Sequence, residues 1–166
     1  VYLLRELNGL DESFVNRALD DNCFSTHLLQ AALSIFQESP ALRKRLDSWV
    51  QTSDLTDTEA LRIGYLLGEF EDAGDTLATL LTRYHQDVWV AKALMSSVSE
   101  ATVLPVLQAT WEVIQGESFA ESLVFRDLIA IAVGTDHAEA LQFIVSRSSQ
   151  LPALDRVVVV SLMLAE

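Results

Sequence analysis

The strongest constraint on the fold is a run of helix-forming segments that alternate between two kinds. The first kind is apolar on nearly every side and contains small residues, as in Gly64-Tyr65-Leu66 and Ala93-Leu94-Met95, whereas the second kind is amphipathic. Segments of the first kind begin near residues 22, 57, 87, 119 and 153, a period of about 30–35 residues. Because one helical pair cannot bury its apolar face alone, this period predicts successive pairs stacked around a continuous core.

The predicted fold is therefore all-α, a right-handed α-α superhelix of the HEAT or armadillo type with about five helix pairs. Residues 1–166 form a single repeat domain, with about eleven helices and short loops. The first three helices are expected in 1–7, from Asp11 onward, and over Cys23–Gln37. Val157–Val160 has the β-branched composition of a strand, but the surrounding helical pattern favours a helix there.

Helix starts are marked by residues that accept hydrogen bonds from free backbone N–H groups. Three segments have the Ser/Thr-x-x-Glu spacing of a capping box, and Ser99 is an alternative cap for the second of them. The three are Thr56-x-x-Glu59, Ser97-x-x-Glu100 and Ser118-x-x-Glu121, and Asp136-x-x-Glu139 is expected to start a further helix. Pro40 suits a first helical turn, and Pro105 is expected in one for the same reason.

The stretch Asp87–Val98 is predicted to be the central helix of the stack. Asp87 suits its N-terminus, and Lys92 is the only charged residue inside it, so the helix should be covered on several sides. Trp49, Trp89 and Trp111 stand at core spacing, although an exposed tryptophan would instead indicate a binding hot spot. Gly64 and Gly68, four residues apart, indicate a close contact between helices.

Composition limits the classes of function. The formal net charge is −13, from 24 acidic against 11 basic residues, which disfavours binding to nucleic acid or to an anionic membrane surface. Cys23 is the only cysteine, so an internal disulfide is impossible. The longest apolar run, Val157–Ala165, is too short to span a bilayer, and no signal peptide is visible.

Three groups of residues suggest chemistry, and each also has a structural explanation. Cys23 and His27 have the i, i+4 spacing of a metal-ligand pair, but no third ligand is nearby in sequence. The acidic run at residues 69–75 lacks the spacing of a calcium loop and is expected to be solvated. Asp136 and His137 invite an acid–base role, yet their place at a helix start favours capping. We therefore predict no catalytic residue, no metal ligand and no cofactor site.

A binding surface is expected on the second helices of the pairs, which commonly line the concave side of such superhelices. The candidates are polar residues off the apolar faces: Arg43, Asp47, Thr79, Arg83, Gln108 and Glu112. Arg43-Lys44-Arg45 is the only basic cluster, expected to be a solvated helix face that also suits an acidic partner.

One segment resembles a particular bacterial family. The resemblance is clearest over residues 56–99, in Leu66-Leu67-Gly68-Glu69-Phe70 and Asp87-x-Trp89-Val90-x-x-Ala93-x-Met95-Ser96-Ser97. The family comprises large exported proteins of the planctomycetal type, with a sorbosone-dehydrogenase-like β-propeller, HEAT-like repeats and a C-terminal c-type haem domain. This chain has no C-x-x-C-H motif. The resemblance thus implies a haem-free repeat region of a periplasmic or extracellular redox protein.

The expected role is a non-catalytic scaffold that binds protein, either other domains of its parent chain or a partner. The alternative is a general intracellular adaptor solenoid for a protein or peptide, and a signal peptide with a downstream C-x-x-C-H in the parent would distinguish them. The first and last helices lack the polar residues of terminal caps, so we expect an excised segment of a longer protein. In isolation, such uncovered ends favour self-association.

Overall fold

The computed structural model describes residues 40–52, 54–114 and 122–164, together with Ser13 and Arg17, and the predicted helices before Pro40 lie outside this part. Within it the protein is all-α, which confirms the predicted class, and no residue there is in a strand. The eight helices are α1 (Pro40–Thr52), α2 (Asp57–Leu67), α3 (Gly74–Tyr84), α4 (Val88–Met95), α5 (Glu100–Ile114), α6 (Leu123–Gly134), α7 (Ala138–Ser148) and α8 (Ala153–Leu164). The β-branched run Val157–Val160 is helical, as predicted.

Two of the predicted helix starts are confirmed. Thr56 and Glu59 form a complete capping box, in which each side chain bonds to the other residue's backbone N–H. The Asp87 carboxylate accepts from the backbone N–H groups of Trp89 and Val90, both at 3.0 Å.

Other helix starts differ at least in part from the prediction. Helix α5 begins directly after Ser99, the alternative cap, whose backbone N–H donates to Thr102 Oγ1, so Ser97 is not its cap. Helix α7 is capped by His137, because Asp136 occupies the preceding turn with a φ of 52°. Ser118 lies outside the described residues, and Ser122 caps α6.

The helices pack in two rows. Helices α1, α3, α5 and α7 contact one another in succession and form the odd row, and α2, α4, α6 and α8 do the same in the even row. Contacts between the rows join neighbours along the chain, such as α2 with α3 and α5 with α6. The apolar core lies between the rows, where Leu46, Leu77, Leu94, Leu107 and Leu128 are fully buried. Every helix therefore has an inner face in the core and another face outside it.

Glycines permit close approach at two places in the stack. A Cβ at Gly64 would lie 2.2 Å from Leu94 Cδ2, and one at Gly68 would lie 3.0 Å from Ser97 Cβ. The predicted close contact between helices is therefore confirmed, and the partner of α2 is α4. A Cβ at Gly74 would lie 2.3 Å from Pro105 Cγ. Pro105 is inside α5, beyond its first turn, so its expected position was wrong. The bare backbone of Gly74 leaves room for the proline ring.

Helix α4 lies between α2 and α6, as expected of a central helix, but it is not covered on all sides. Val90, Ala91, Leu94 and Met95 are buried, whereas Val88 is exposed and Trp89 is 84% exposed. The core position predicted for Trp89 is therefore wrong. Trp111 is buried and Trp49 is packed against the core, as predicted. The apolar composition of α4 misled the prediction because only one face of the helix meets other helices.

Candidate interaction surface

The six candidate surface residues all lie on the odd row. Arg43 and Asp47 are on α1, Thr79 and Arg83 on α3, and Gln108 and Glu112 on α5. Because these three helices contact one another in succession, the fold places the candidates along one row. Their exposure differs widely, and so do the bonds that they make.

Arg43 is only 9% exposed, so the expectation of a solvated face is wrong at this position. Its guanidinium donates to the Asp72 carboxylate at 3.2 Å, to the Asp72 carbonyl at 3.0 Å and to Asp47. Asp47 also accepts from the Thr76 hydroxyl of α3. The buried arginine thus joins α1 to the loop before α3 and, through Asp47, to α3 itself. Lys44, next to it, is exposed as predicted.

The candidates on α3 also make bonds within the fold. Thr79 is half-buried, and its hydroxyl donates to the Asp75 carbonyl at 2.9 Å. Arg83 reaches back to α1 and donates to the Val50 carbonyl at 2.8 Å. Beside it, the Tyr84 hydroxyl donates to the Leu55 carbonyl, and burial raises the pKa of Tyr84 above its ordinary value against the opposing charge of Arg83. Arg83 and Tyr84 therefore fix α3 against α1 and the segment that follows it.

Gln108 and Glu112 of α5 are exposed, as is Arg83 of α3. The Glu112 carboxylate lies 3.7 Å from Arg147 of α7. Arg147 also lies over the Phe143 ring, 5.6 Å from its centroid. Exposed ion pairs of this length contribute little to stability.

The acidic loop between α2 and α3 lies beside α1. Glu69, Glu71 and Asp72 border a cleft of about 660 Å³ with Pro40, Arg43, Lys44, Asp47 and Phe70. Arg43 neutralises part of this acidic charge. No group of three or more histidine, cysteine, aspartate or glutamate side chains within the described ranges has an arrangement that could hold a metal ion.

The sequence suggested two further groups of residues for chemistry, and the structure describes only one of them. Cys23 and His27 lie outside the described residues, so the prediction that they do not bind a metal ion stays a prediction. His137 Nδ1 accepts from the Ala140 backbone N–H at 3.2 Å, so its ring is used as a helix cap, as the alternative explanation predicted. Asp136 is exposed in the turn before it.

A second groove, which sequence reasoning missed, lies between α4 and α6. It has a volume of about 180 Å³, and its apolar lining comes from Val88, Ala91, Met95, Leu123 and Val124. Trp89, exposed on α4, is not among the residues that line it. One signal in the sequence could have shown the exposure of Trp89: with Asp87 as cap, Val90 and Leu94 define the buried side of α4, and Trp89 lies about 100° away from Val90.

No helix in the part of the chain described here is long and apolar enough to cross a membrane. Comparisons of the chain with protein-family models, with curated proteins and with solved structures find no match. The resemblance to the exported planctomycetal-type proteins thus stays an expectation based on the residues that carry it.

Proposed function

We propose that this chain is a non-catalytic scaffold, a section of a HEAT-like α-α superhelix that holds protein partners or neighbouring domains. The observation that carries the proposal is the separation of the helices into two rows in which contacts run from each helix to the next. Repeat proteins have this arrangement because each unit buries its apolar face only against the adjacent units. An open row of helices also offers a long surface to a partner.

The use of polar side chains supports a structural role. Arg43, Arg83 and Arg147 each bond to a neighbouring helix or loop of the odd row. Gln108 and Glu112 are exposed on α5 of the same row. The parent we propose is an exported redox protein whose haem lies outside this chain, and the runner-up is an intracellular adaptor.

Amide hydrogen exchange, which measures local opening of the helices in the full chain, tests the repeat arrangement. Val159→Ala in α8 creates a cavity at one end, and Leu94→Ala creates one in the centre. If stability is a sum over neighbouring helices, Val159→Ala should speed amide hydrogen exchange in α7 and α8 and leave α1–α3 protected. Equal loss of protection in all helices would show one cooperative bundle and contradict the proposal.

A photo-crosslinking residue at Gln108 tests the binding role in the natural full-length protein. We expect crosslinks to another domain or protein from Gln108, and few from the same group at Ala130, exposed on α6 of the even row. Equal labelling at both sites would argue against an odd-row surface. A signal peptide and a C-x-x-C-H motif in the parent sequence would select the exported setting over the intracellular one.

A further inference from the structure

The last helix of each row, α7 and α8, exposes more apolar surface than the helices before it. These two helices carry five of the ten large apolar side chains exposed in the described part of the chain, each between 50% and 78% exposed: Val145, Leu154, Val157, Val160 and Leu164. The other five are spread over α2, α4, α5 and α6. The exposed apolar surface is therefore concentrated where the two rows of described helices stop.

Val145 lies on the side of α7 that faces away from α5. The Arg147 guanidinium of α7 lies 3.7 Å from the Glu112 carboxylate of α5. The Phe143 ring of α7 lies 5.5 Å from the Trp111 ring of α5, centroid to centroid. Val145 is two residues from both Phe143 and Arg147, and two residues turn an α-helix by about 200°. Val145 therefore points in the direction that a following odd-row helix would occupy.

A comparison of the even-row helices locates the corresponding side of α8. Each of them buries one apolar residue completely at its sixth or seventh position: Ile63, Leu94, Leu128 and Val159. The residue after it meets the following helix in α2 and α4, since Gly64 lies against Leu94 and Met95 lines the groove with α6. Ile129 has this position in α6 and is also buried. In α8 the position belongs to Val160, which is 50% exposed.

Together these positions form what we call the end surface, which consists of Val145 of α7 and Val160 and Leu164 of α8. Leu164 lies one turn after Val160 on the same side of α8, and α7 and α8 contact each other. Arg156, one turn before Val160, is exposed at the border of this surface. An occupant of the end surface must therefore offer aliphatic side chains and an oxygen that accepts from Arg156.

The acidic residues of the same two helices lie elsewhere. Asp155 of α8 is buried. Glu139 lies six residues before Val145, which places it about 120° away around α7. The end surface is thus apolar with one basic residue at its edge, although the chain as a whole has a net charge of −13.

We propose that the end surface binds two further helices of the same repeat kind, which belong to the parent chain. One extends the odd row and packs on α7 through Val145, and the other extends the even row and packs on α8 through Val160 and Leu164. A carboxylate or carbonyl oxygen of the second helix accepts from Arg156. This inference rests on the proposed scaffold function and identifies the contact by which that scaffold continues.

Continuity with the contacts inside the rows favours this occupant over a second copy. Val160 has the position through which α2 and α4 meet the next even-row helix. Two copies joined at the end surface would instead bring together two surfaces that each carry Arg156 and no acidic side chain, which like charges oppose. Each copy would contribute one side of two helices, whereas stable interfaces bury about 800 Å² per partner. Helices of the same chain avoid most of the entropic cost of association.

The substitution Val160→Asp distinguishes a covered end surface from an exposed one. Amide hydrogen exchange in α7 and α8 is measured in the natural full-length protein and in a monomeric solution of the 166-residue chain. In the full-length protein the substitution should speed exchange about tenfold or more, because it places a carboxylate in an apolar contact. In the 166-residue chain, where Val160 is exposed, exchange should change less than about threefold. Tyr65→Asp, at an exposed site of α2, is the control and should stay within about threefold in both proteins.

A photo-crosslinking residue identifies the occupant. Placed at Val160 of the full-length protein, it should link to the same chain within about one repeat of 30–35 residues after Leu164. The same group at Tyr65, exposed on α2, should give no link to that segment. Circular dichroism of each variant establishes that its helices are retained.

Several outcomes would overturn the inference. These are equal effects of Val160→Asp in the two proteins, or links from Val160 no more frequent than from Tyr65. Dimers of the full-length protein that Val160→Asp abolishes would identify a second copy as the occupant, and links from Val160 to a different protein would identify an external partner. If the end surface proves uncovered while Val159→Ala still confines faster exchange to α7 and α8, this inference is wrong and the scaffold proposal stands.

Discussion

The two rows of this protein are held together by different kinds of contact. In the odd row, charged and hydroxyl side chains cross between neighbours, as Arg43 does to Asp72 and Arg83 to the Val50 carbonyl. In the even row, Gly64 lets α2 approach Leu94 of α4, and Gly68, just after α2, lies against Ser97, just after α4. The odd row thus combines directed bonds with the close approach of Gly74 to Pro105, whereas α2 and α4 of the even row meet through close fit.

This difference has a consequence for exposure. Polar residues of the odd row point toward neighbouring helices, and two of the six candidate surface residues, Arg43 and Arg83, hold the row together. The even row leaves Trp89 and Val157 uncovered. The row of helices that looks polar in sequence need not be the row with the most exposed large side chains.

The largest expected effect comes from the aromatic cluster that joins the rows. Trp111 of α5 packs edge-on against Phe125 of α6 at 4.9 Å and against Phe143 of α7 at 5.5 Å. Trp111→Ala should lower the free energy of unfolding by about 3–5 kcal/mol. Trp89→Ala, the matched exposed tryptophan, should change it by less than about 0.5 kcal/mol. Urea unfolding measures both, and equal losses would contradict the assignment of Trp89 to the surface.

The close fit of the even row is tested next. Gly64→Ala should destabilise the protein by about 1–3 kcal/mol, because its new methyl group overlaps the buried Leu94 side chain. The same substitution in a Leu94→Ala background should cost much less, since the overlapping atoms are gone. Additive effects in this double-mutant cycle would show that the two residues do not meet.

The polar contacts of the odd row should have a smaller effect. Arg43→Ala removes a buried side chain with bonds to Asp47 and Asp72, and we expect a loss of about 1–2 kcal/mol, moderated because both partners reach solvent. Lys44→Ala, exposed on the same helix, is the control and should stay within about 0.5 kcal/mol. A loss at Arg43 no larger than at Lys44 would mean that these bonds add nothing to the row.

The smallest effect concerns the start of α2 and its dependence on pH. The hydrogen bond from the Thr56 backbone N–H holds the pKa of Glu59 below its ordinary value. Because the folded pKa is depressed, this stabilisation is present above the ordinary glutamate pKa and is lost as the pH falls through the lower, folded value. Glu59→Gln should cost about 0.5–1 kcal/mol at neutral pH.

In strong acid, the unfolding free energies of the wild type and Glu59→Gln should converge. Glu139→Gln, in the first turn of α7, is the control and should show a smaller dependence on pH. A constant gap between wild type and Glu59→Gln at every pH would contradict a role for the carboxylate charge.

Local chemistry made the helices predictable, because caps and helix breaks depend on residues close in sequence. For this reason the sequence identified the Thr56–Glu59 capping box, the Asp87 cap, and the close contact at Gly64 and Gly68. The burial of Arg43 depends on a distant partner. Arg43 is covered because Asp72, 29 residues away, folds back over it, and no local pattern contains that information. The groove between α4 and α6 was missed for the same reason.

The short reach of the bonds between helices has a mechanical consequence. The side-chain bonds to the preceding or following helical unit join residues that are 29 or 33 positions apart in the sequence. They are made by Arg43, Thr76, Arg83 and Tyr84. Contacts of such limited range allow a chain to fold from several starting points at low cost in loop closure. A pull on its two ends would meet these bonds one after another, so the protein should lengthen in steps and refold in steps when the tension is released.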